Sequence, residues 1–217
     1  MKDNLHNISK KMVERYSARY HELGYDIKTL GWGSEDQQSY RFLQTLNTGL
    51  DFKGKRILDI GCGFGDYADF LVNKEIEFSS YYGVDINPDL INEANVRHKE
   101  NPEYEFRVLN LTDSNNIEPI ADVGIMLGLL NLNLQGEMDN YEYSFNMINN
   151  ALSLVKEALI VDFISIRKDA NYPEEDFIFY HDPARVMEFA FGITDNVLVK
   201  HDYLPIPQKE FMLVLHK

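Results

Sequence analysis

One stretch constrains this chain more than any other: Ile57-Leu58-Asp59-Ile60-Gly61-Cys62-Gly63-Phe64-Gly65-Asp66. An apolar run stops at three alternating glycines and gives way to a helix-forming run over 67–72. Glycine lets the backbone bend sharply and lie close to a ligand, and the helix that follows turns its unpaired N–H groups back toward the bend. The strand, bend and helix in this order form the first half of a strand–helix unit, and parallel strands need such crossover helices. The rest of the sequence supplies them: short apolar runs at 56–60, 81–85, 104–109, 123–127 and 159–164 alternate with helix-length polar segments. That rhythm predicts repeated strand–helix units and a mostly parallel α/β sheet.

Helices are expected from Pro88, behind Asn87, over 141–155, and after Asp182-Pro183. Two last runs, 196–203 and 211–216, are joined by a turn carrying Pro205 and Pro207, too short for a crossover. They predict an antiparallel hairpin and bring the sheet to seven strands. Ahead of the sheet, 3–23 places Leu5, Ile8, Met12, Val13, Tyr16, Tyr20 and Leu23 at helical spacing. Glycines break the period over 24–38, and 40–46 is helical again. The chain, 1–217, reads as a single domain, with a helical cap over 1–50 and a ligand-binding core over 51–217.

With 44% hydrophobic residues the chain can bury one core, and its formal charge of −14 repels phosphate backbones and anionic lipid. A small molecule is therefore the expected partner, with neither nucleic acid nor membrane. The densest basic run, 10–19, is broken by Glu14 and reads as the solvated face of a helix. No run has the length of a membrane-spanning helix, the polar first residues lack a secretory segment, and the single cysteine, Cys62, suits a reducing compartment. The expectation is a cytoplasmic protein whose oligomeric state the sequence does not fix. Scattered histidines, and a Glu174-Glu175-Asp176 run without matching ligands, give no reason to expect a metal.

The glycine bend alone does not choose the cofactor, because dinucleotide folds bend there too. Their fingerprint wants a third glycine or alanine three residues after Gly63, where this chain has Asp66, a carboxylate that repels a pyrophosphate. A cofactor with an amino-acid end tolerates it. Asp85, at the end of the second strand, can accept both hydroxyls of a ribose, or it can cap the next helix, a task for which Asn87 is better placed.

In this order the residues resemble the class I S-adenosylmethionine (SAM) dependent methyltransferases, with Leu58–Gly65 as the loop, Asp85-Ile86 as the ribose acid and its apolar follower, and the terminal hairpin in its place. The resemblance implies a Rossmann-like fold, SAM as cofactor, and cofactor contacts from Asp59, Gly61, Gly63, Gly65, Asp85, Ile86, Asn110, Leu111 and Gly128. The family more often carries an acid where this chain has Asn110. Over 31–217 the chain is also similar to a bacterial subgroup marked here by Trp32-Gly33, Gln38, Arg41-Phe42, Asn131-Leu132, Asp182-Pro183 and His201-Asp202-Tyr203. That similarity implies a methyltransferase that tailors glycans or specialised metabolites.

Parallel sheets bind ligands beyond the C-terminal ends of their strands, which selects 128–133, 165–181 and 201–207. Methyl transfer from a sulfonium needs an aligned nucleophile and, where necessary, a base. His181, His201 and Tyr203 are the catalytic candidates, with Tyr180, Asp182, Asp202 and Asn131 as positioning groups. Each histidine reads equally as a hydrogen-bonded structural residue. Arg41 either pairs with a carboxylate of cofactor or acceptor or sits on the surface, and Trp32 either closes the site or fills a gap. The expected reaction is methylation of an oxygen or nitrogen of a small polar metabolite such as a sugar or sugar nucleotide. Two alternatives stay open: a nicotinamide-dependent oxidoreductase, and a SAM-binding protein without turnover.

Overall fold

The computed structural model describes residues 2–113, 118–168 and 172–217. Its strands are β1 (Arg56–Ile60), β2 (Ser80–Asp85), β3 (Tyr104–Val108), β4 (Ala121–Met126), β5 (Val155–Ile164), β6 (Val197–Lys200) and β7 (Glu210–His216), in one sheet of order β3-β2-β1-β4-β5-β7-β6. β1 to β5 are parallel, and β7 lies antiparallel between β5 and β6. The helices are α1 (Lys2–Leu23), α2 (Glu35–Leu46), α3 (Asp66–Asn73), α4 (Pro88–Arg97), α5 (Asn140–Ser153) and α6 (Pro183–Phe191), with a 3-10 turn at Leu111–Asp113.

Alternation along the strands divides the core in two. Ile57, Val123, Ile125, Ile160 and Val214 meet Phe42, Tyr67 and Ile91 of α2, α3 and α4. Their sequence neighbours Leu58, Met126, Val161 and Leu213 meet Ile148 of α5 and Val186 of α6 on the opposite face. Caps fix where the helices begin. Asn87 accepts the N–H groups of Asp89 and Leu90 ahead of Pro88, and Asp182 accepts that of Ala184 ahead of Pro183. α2 starts earlier than the periodicity suggests, because Ser34 accepts the N–H of Gln37 and closes its first turn. β5 begins at Val155 rather than at 159, since its first residues pair beside Ala121 while Lys156 and Glu157 face solvent. β6 ends at Lys200, which leaves 201–203 in the following loop.

The cap helix α1 lies across the C-terminal ends of β2 and β3. Ile8 enters the core, Leu5 and Met12 pack against it, Tyr20 meets the ring of Phe64, and polar groups add further ties. Asn87 Nδ2 donates to Val13 O and Ser17 Oγ, Ser17 Oγ to Asp89 Oδ2 at 2.6 Å, and Tyr20 Oη to Glu93 Oε2 at 2.7 Å. Asn110 Nδ2 reaches Ser9 Oγ at 3.3 Å. Among the described residues no helix is long and apolar enough to cross a membrane.

Candidate active site

A cavity of about 590 Å³ opens between the strand ends, α1 and the 30–42 segment. Its floor is the glycine bend. Gly61 and Gly63 hold φ of +75° and +54°, and a Cβ at Gly61 would stand 2.2 Å from Leu129 Cδ1, one at Gly63 2.9 Å from the tips of Leu30. The bend thus depends on glycine both for its backbone angle and for its closeness to what lies over it. Gly65, expected to touch the cofactor, does something else. It caps α3 at φ +81°, with its missing Cβ 2.7 Å from His98 Nε2 and 2.8 Å from the Phe106 ring, and it does not line the cavity.

Asp85 is braced at the end of β2. Its Oδ2 accepts the N–H of Gly63 at 3.1 Å and its Oδ1 that of Asn87 at 2.9 Å. Burial raises its pKa, and these backbone N–H groups pull it back. One carboxylate therefore ties the glycine bend to the next strand while facing the cavity. Asp59, one residue before the end of β1, accepts a hydrogen bond from the Tyr81 hydroxyl, and burial pushes its pKa up to about 7. Asp66 is held by Arg97 at 3.2 Å, Gln38 Nε2 at 3.2 Å and Tyr25 Oη at 3.1 Å. Ile86, Asn110, Leu111 and Gly128 complete the expected set along the wall. Asn110 Oδ1 accepts from Thr112 N and Oγ1.

Behind Gly128 the sheet carries a cluster of charge. Arg41 of α2 forks onto both oxygens of Glu210 on β7, and its Nε lies 3.3 Å from Asp162 Oδ2 on β5. Asp162 Oδ1 accepts the N–H of Gly128 at 2.6 Å. The single Nε hydrogen goes to Glu210, so Asp162 Oδ2 receives the attraction of the guanidinium without a hydrogen bond. Two carboxylates share one cation in a fully buried place. Burial raises both acids, Glu210 to about 7, against the pull of Arg41. Burial also opposes the charge on Arg41, but the two carboxylates outweigh it and raise its pKa. Trp32 covers the guanidinium, its ring centroid 4.3 Å from Cζ, and both line the cavity. Of the two readings of Arg41, the surface one is excluded: 8% of the residue is exposed.

The proposed catalytic residues lie elsewhere. His181 is wholly buried, its ring among Tyr141, Phe163 and Phe179, its Nε2 3.1 Å from Ser144 Oγ, and burial drops its pKa to about 3. His201, in the loop after β6, stands against Phe211; burial, then Lys209 and Arg167, lower its pKa. Tyr203 is buried beside the Arg41 cluster, where desolvation raises its pKa. None of the three lines the cavity. Tyr180 Oη accepts from Glu175 N and Gln208 Nε2, Asp182 caps α6, and Asp202 pairs with Lys200. Asn131 does reach the wall, where its Oδ1 accepts the N–H of Ile164 and joins the ends of β4 and β5. Of the expected segment 165–181, residues 169–171 lie outside the described residues.

The sequence reading missed the roof, Met12, Arg15, Tyr16 and Arg19 of α1, and Gln208 of the far wall; Tyr172 and Glu175 lie within the selected segment 165–181 but were not singled out as site residues. The basic run of α1, expected to be a solvated face, places Arg15 and Arg19 at the cavity.

Residues 58–154 match the family model of a methyltransferase domain. Over 105 residues the chain is 29% identical to a fatty-acid O-methyltransferase of Mycolicibacterium smegmatis, an alignment that covers 42% of this chain and 38% of that protein. The chain thus spans well under half the length of this curated relative. Among solved structures, magnesium protoporphyrin IX methyltransferase of Synechocystis PCC 6803, bound to SAH, superposes with a TM-score of 0.64 at 17% identity, over 94% of this chain and 93% of that one. The N-methyltransferase NodS of Bradyrhizobium japonicum WM9, with S-adenosylhomocysteine (SAH), gives 0.62 at 13% identity, over 94% and 98%.

Proposed function

We propose that this chain, a class I SAM-dependent methyltransferase by fold and by domain, moves a methyl group from SAM to an oxygen or nitrogen of a small acceptor. The observation that carries the reading is the braced Asp85, which joins the glycine bend to the wall of a cavity at the strand ends. The donor set fits an adenosyl amino acid. Asp85 offers a carboxylate for ribose hydroxyls, Asn110 and Leu111 border the place for an adenine, and the buried Asp59 offers a counter-charge for an ammonium group. Bound there, SAM supplies a methyl group already activated on a sulfonium. The chain's part is to seat it, to exclude water beneath Trp32 and α1, and to orient the acceptor along the wall formed by Asn131, Tyr172 and Glu175.

Asp66, engaged by three donors yet facing the cavity, keeps a carboxylate where a dinucleotide would bring phosphate, which weighs against the nicotinamide alternative. For the acceptor two classes stand side by side. One is the sugar or sugar nucleotide that the motifs imply; the other is an acid of the kind the M. smegmatis protein is named for. Isothermal titration with SAM, SAH and NAD, followed by mass spectrometry of candidate acceptors incubated with labelled SAM, tests the reading. SAM and SAH are expected to bind, NAD not to bind, and Asp85→Ala to abolish SAH binding. Failure of the unaltered protein to bind SAH sinks the proposal; SAH binding without any methylated product favours the protein without turnover.

A further inference from the structure

We infer that the acceptor carries an anionic group, carboxylate or phosphate, which Arg15 and Arg19 of the cap helix receive; the inference rests on the methyltransferase reading. Met12, Arg15, Tyr16 and Arg19 share one face of α1 at three- and four-residue steps, and all four line the cavity. The other charged groups of the wall are engaged. Asp66 pairs with Arg97, Asp85 is held by backbone N–H groups, Glu175 accepts from Tyr172 Oη at 2.9 Å, and Arg41 serves Glu210 and Asp162. Arg15 and Arg19 alone among the cavity's cations make no ion pair and no hydrogen bond with any described residue.

Their surroundings are informative. Both arginines act on the Tyr16 hydroxyl between them, as does Asp85 below. Arg19 also leans on the 30–32 segment, its Nη1 3.4 Å from the place of a Cβ on Gly31. An arginine is a fork for carboxylate or phosphate oxygens, and two of them four residues apart can close on one such group. In a chain of formal charge −14 the average field repels anions, so an unpaired pair of guanidinium groups at the cavity is the local feature able to draw one in. The cavity lining also holds Leu132, Ile164, Phe177, Ile178 and Ile206, interspersed with Asn131, Tyr172, Glu175 and Gln208, and these apolar side chains suit the body of an acid as well as the ring faces of a sugar nucleotide.

The test uses the full chain saturated with SAH, and calorimetric titration of four probes: octanoate and its neutral counterpart octanamide, UDP-glucose and its neutral counterpart uridine. At least one anion is expected to bind roughly tenfold or more tightly than its counterpart, and to weaken as salt rises. Octanoate alone marks a carboxylate acceptor, UDP-glucose alone a phosphate-bearing one, and both together the shared anion. In the Arg15→Gln/Arg19→Gln double variant the anion is expected to fall to the affinity of its counterpart, while Arg15→Lys/Arg19→Lys retains part of the difference. Neutral probes that bind as tightly as the anions, salt-independent binding, or a double variant that still discriminates would each overturn the inference, as would failure of both anions to bind the SAH-loaded protein. Failure of SAH itself refutes instead the methyltransferase reading.

Discussion

Replacing Arg41 by methionine removes the one cation from a cluster that holds two carboxylates. The side chains of Glu210 and Asp162 are 0% exposed and that of Arg41 10%, so solvent offers no substitute. Breaking a buried ion pair from one side costs about 3–5 kcal/mol, which in a domain of this size lowers the melting midpoint by roughly 6–20 °C. The penalty depends on pH. Glu210 holds its proton more tightly in the folded protein, with a pKa of about 7, than in the unfolded chain, so the unaltered protein already loses stability as the pH rises toward 7. Without Arg41 that window moves higher, and the deficit of Arg41→Met is expected to shrink by about 1–2 kcal/mol between pH 8 and pH 6, as the orphaned carboxylates take up protons. Urea titration followed by fluorescence measures it, because Trp32 is the sole tryptophan and lies on the guanidinium. Glu210→Gln serves as the contrast: it leaves Arg41 and Asp162 matched one to one, and is expected to be at least as stable as the unaltered protein at pH 8. A deficit for Arg41→Met below about 1 kcal/mol, or one that ignores pH, refutes the account of a buried, over-acidic cluster.

Gly65→Ala places a Cβ against His98 and the Phe106 ring at a backbone angle that side chains rarely adopt, and is expected to cost roughly 2–4 kcal/mol in urea unfolding; a loss within about 0.5 kcal/mol contradicts the packing role. Asp59 has its pKa lifted to about 7 by burial, so a cationic cofactor group should bind better as the carboxylate ionises. SAM affinity measured by calorimetry is therefore expected to rise from pH 6 to pH 8 and to lose that slope in Asp59→Asn, and a flat profile in the unaltered protein argues against the pairing. His181→Asn is expected to leave kcat of the methyl transfer within about threefold while lowering the melting midpoint; a loss of roughly 10²–10⁴ would mark it as a base after all.

What the sequence discloses follows from how local the cause is. The strands that carry Asp59 and Asp85 and the bend between Ile60 and Tyr67 are written in adjacent residues, and the structure puts them where those residues direct. The start of α2 was equally local, since Ser34 and Gln37 stand at capping distance, but the glycines around them masked it. Arg41 and Glu210 are 169 residues apart, and only the insertion of β7 beside β5 brings them together. A lone acid opening the apolar run Phe211 to Leu215 was the available hint. His181 misled for a similar reason: the place beyond β5 was foreseen, but the aromatic rings that enclose its imidazole come from α5, β5 and the segment before it. Arg15 and Arg19 share the helical period with solvated residues, and spacing does not say which stripe is roofed over by a neighbour.

The roof itself is hung unevenly. Toward its beginning α1 is pinned by Ile8, with Leu5 and Met12 packed against the apolar core, whereas beyond Val13 hydroxyl, amide and carboxylate groups tie it to Asn87 and α4, beside a ring contact of Tyr20 with Phe64. Its second half carries Arg15 and Arg19, so any substitution that loosens these polar ties also displaces the two guanidinium groups from the cavity.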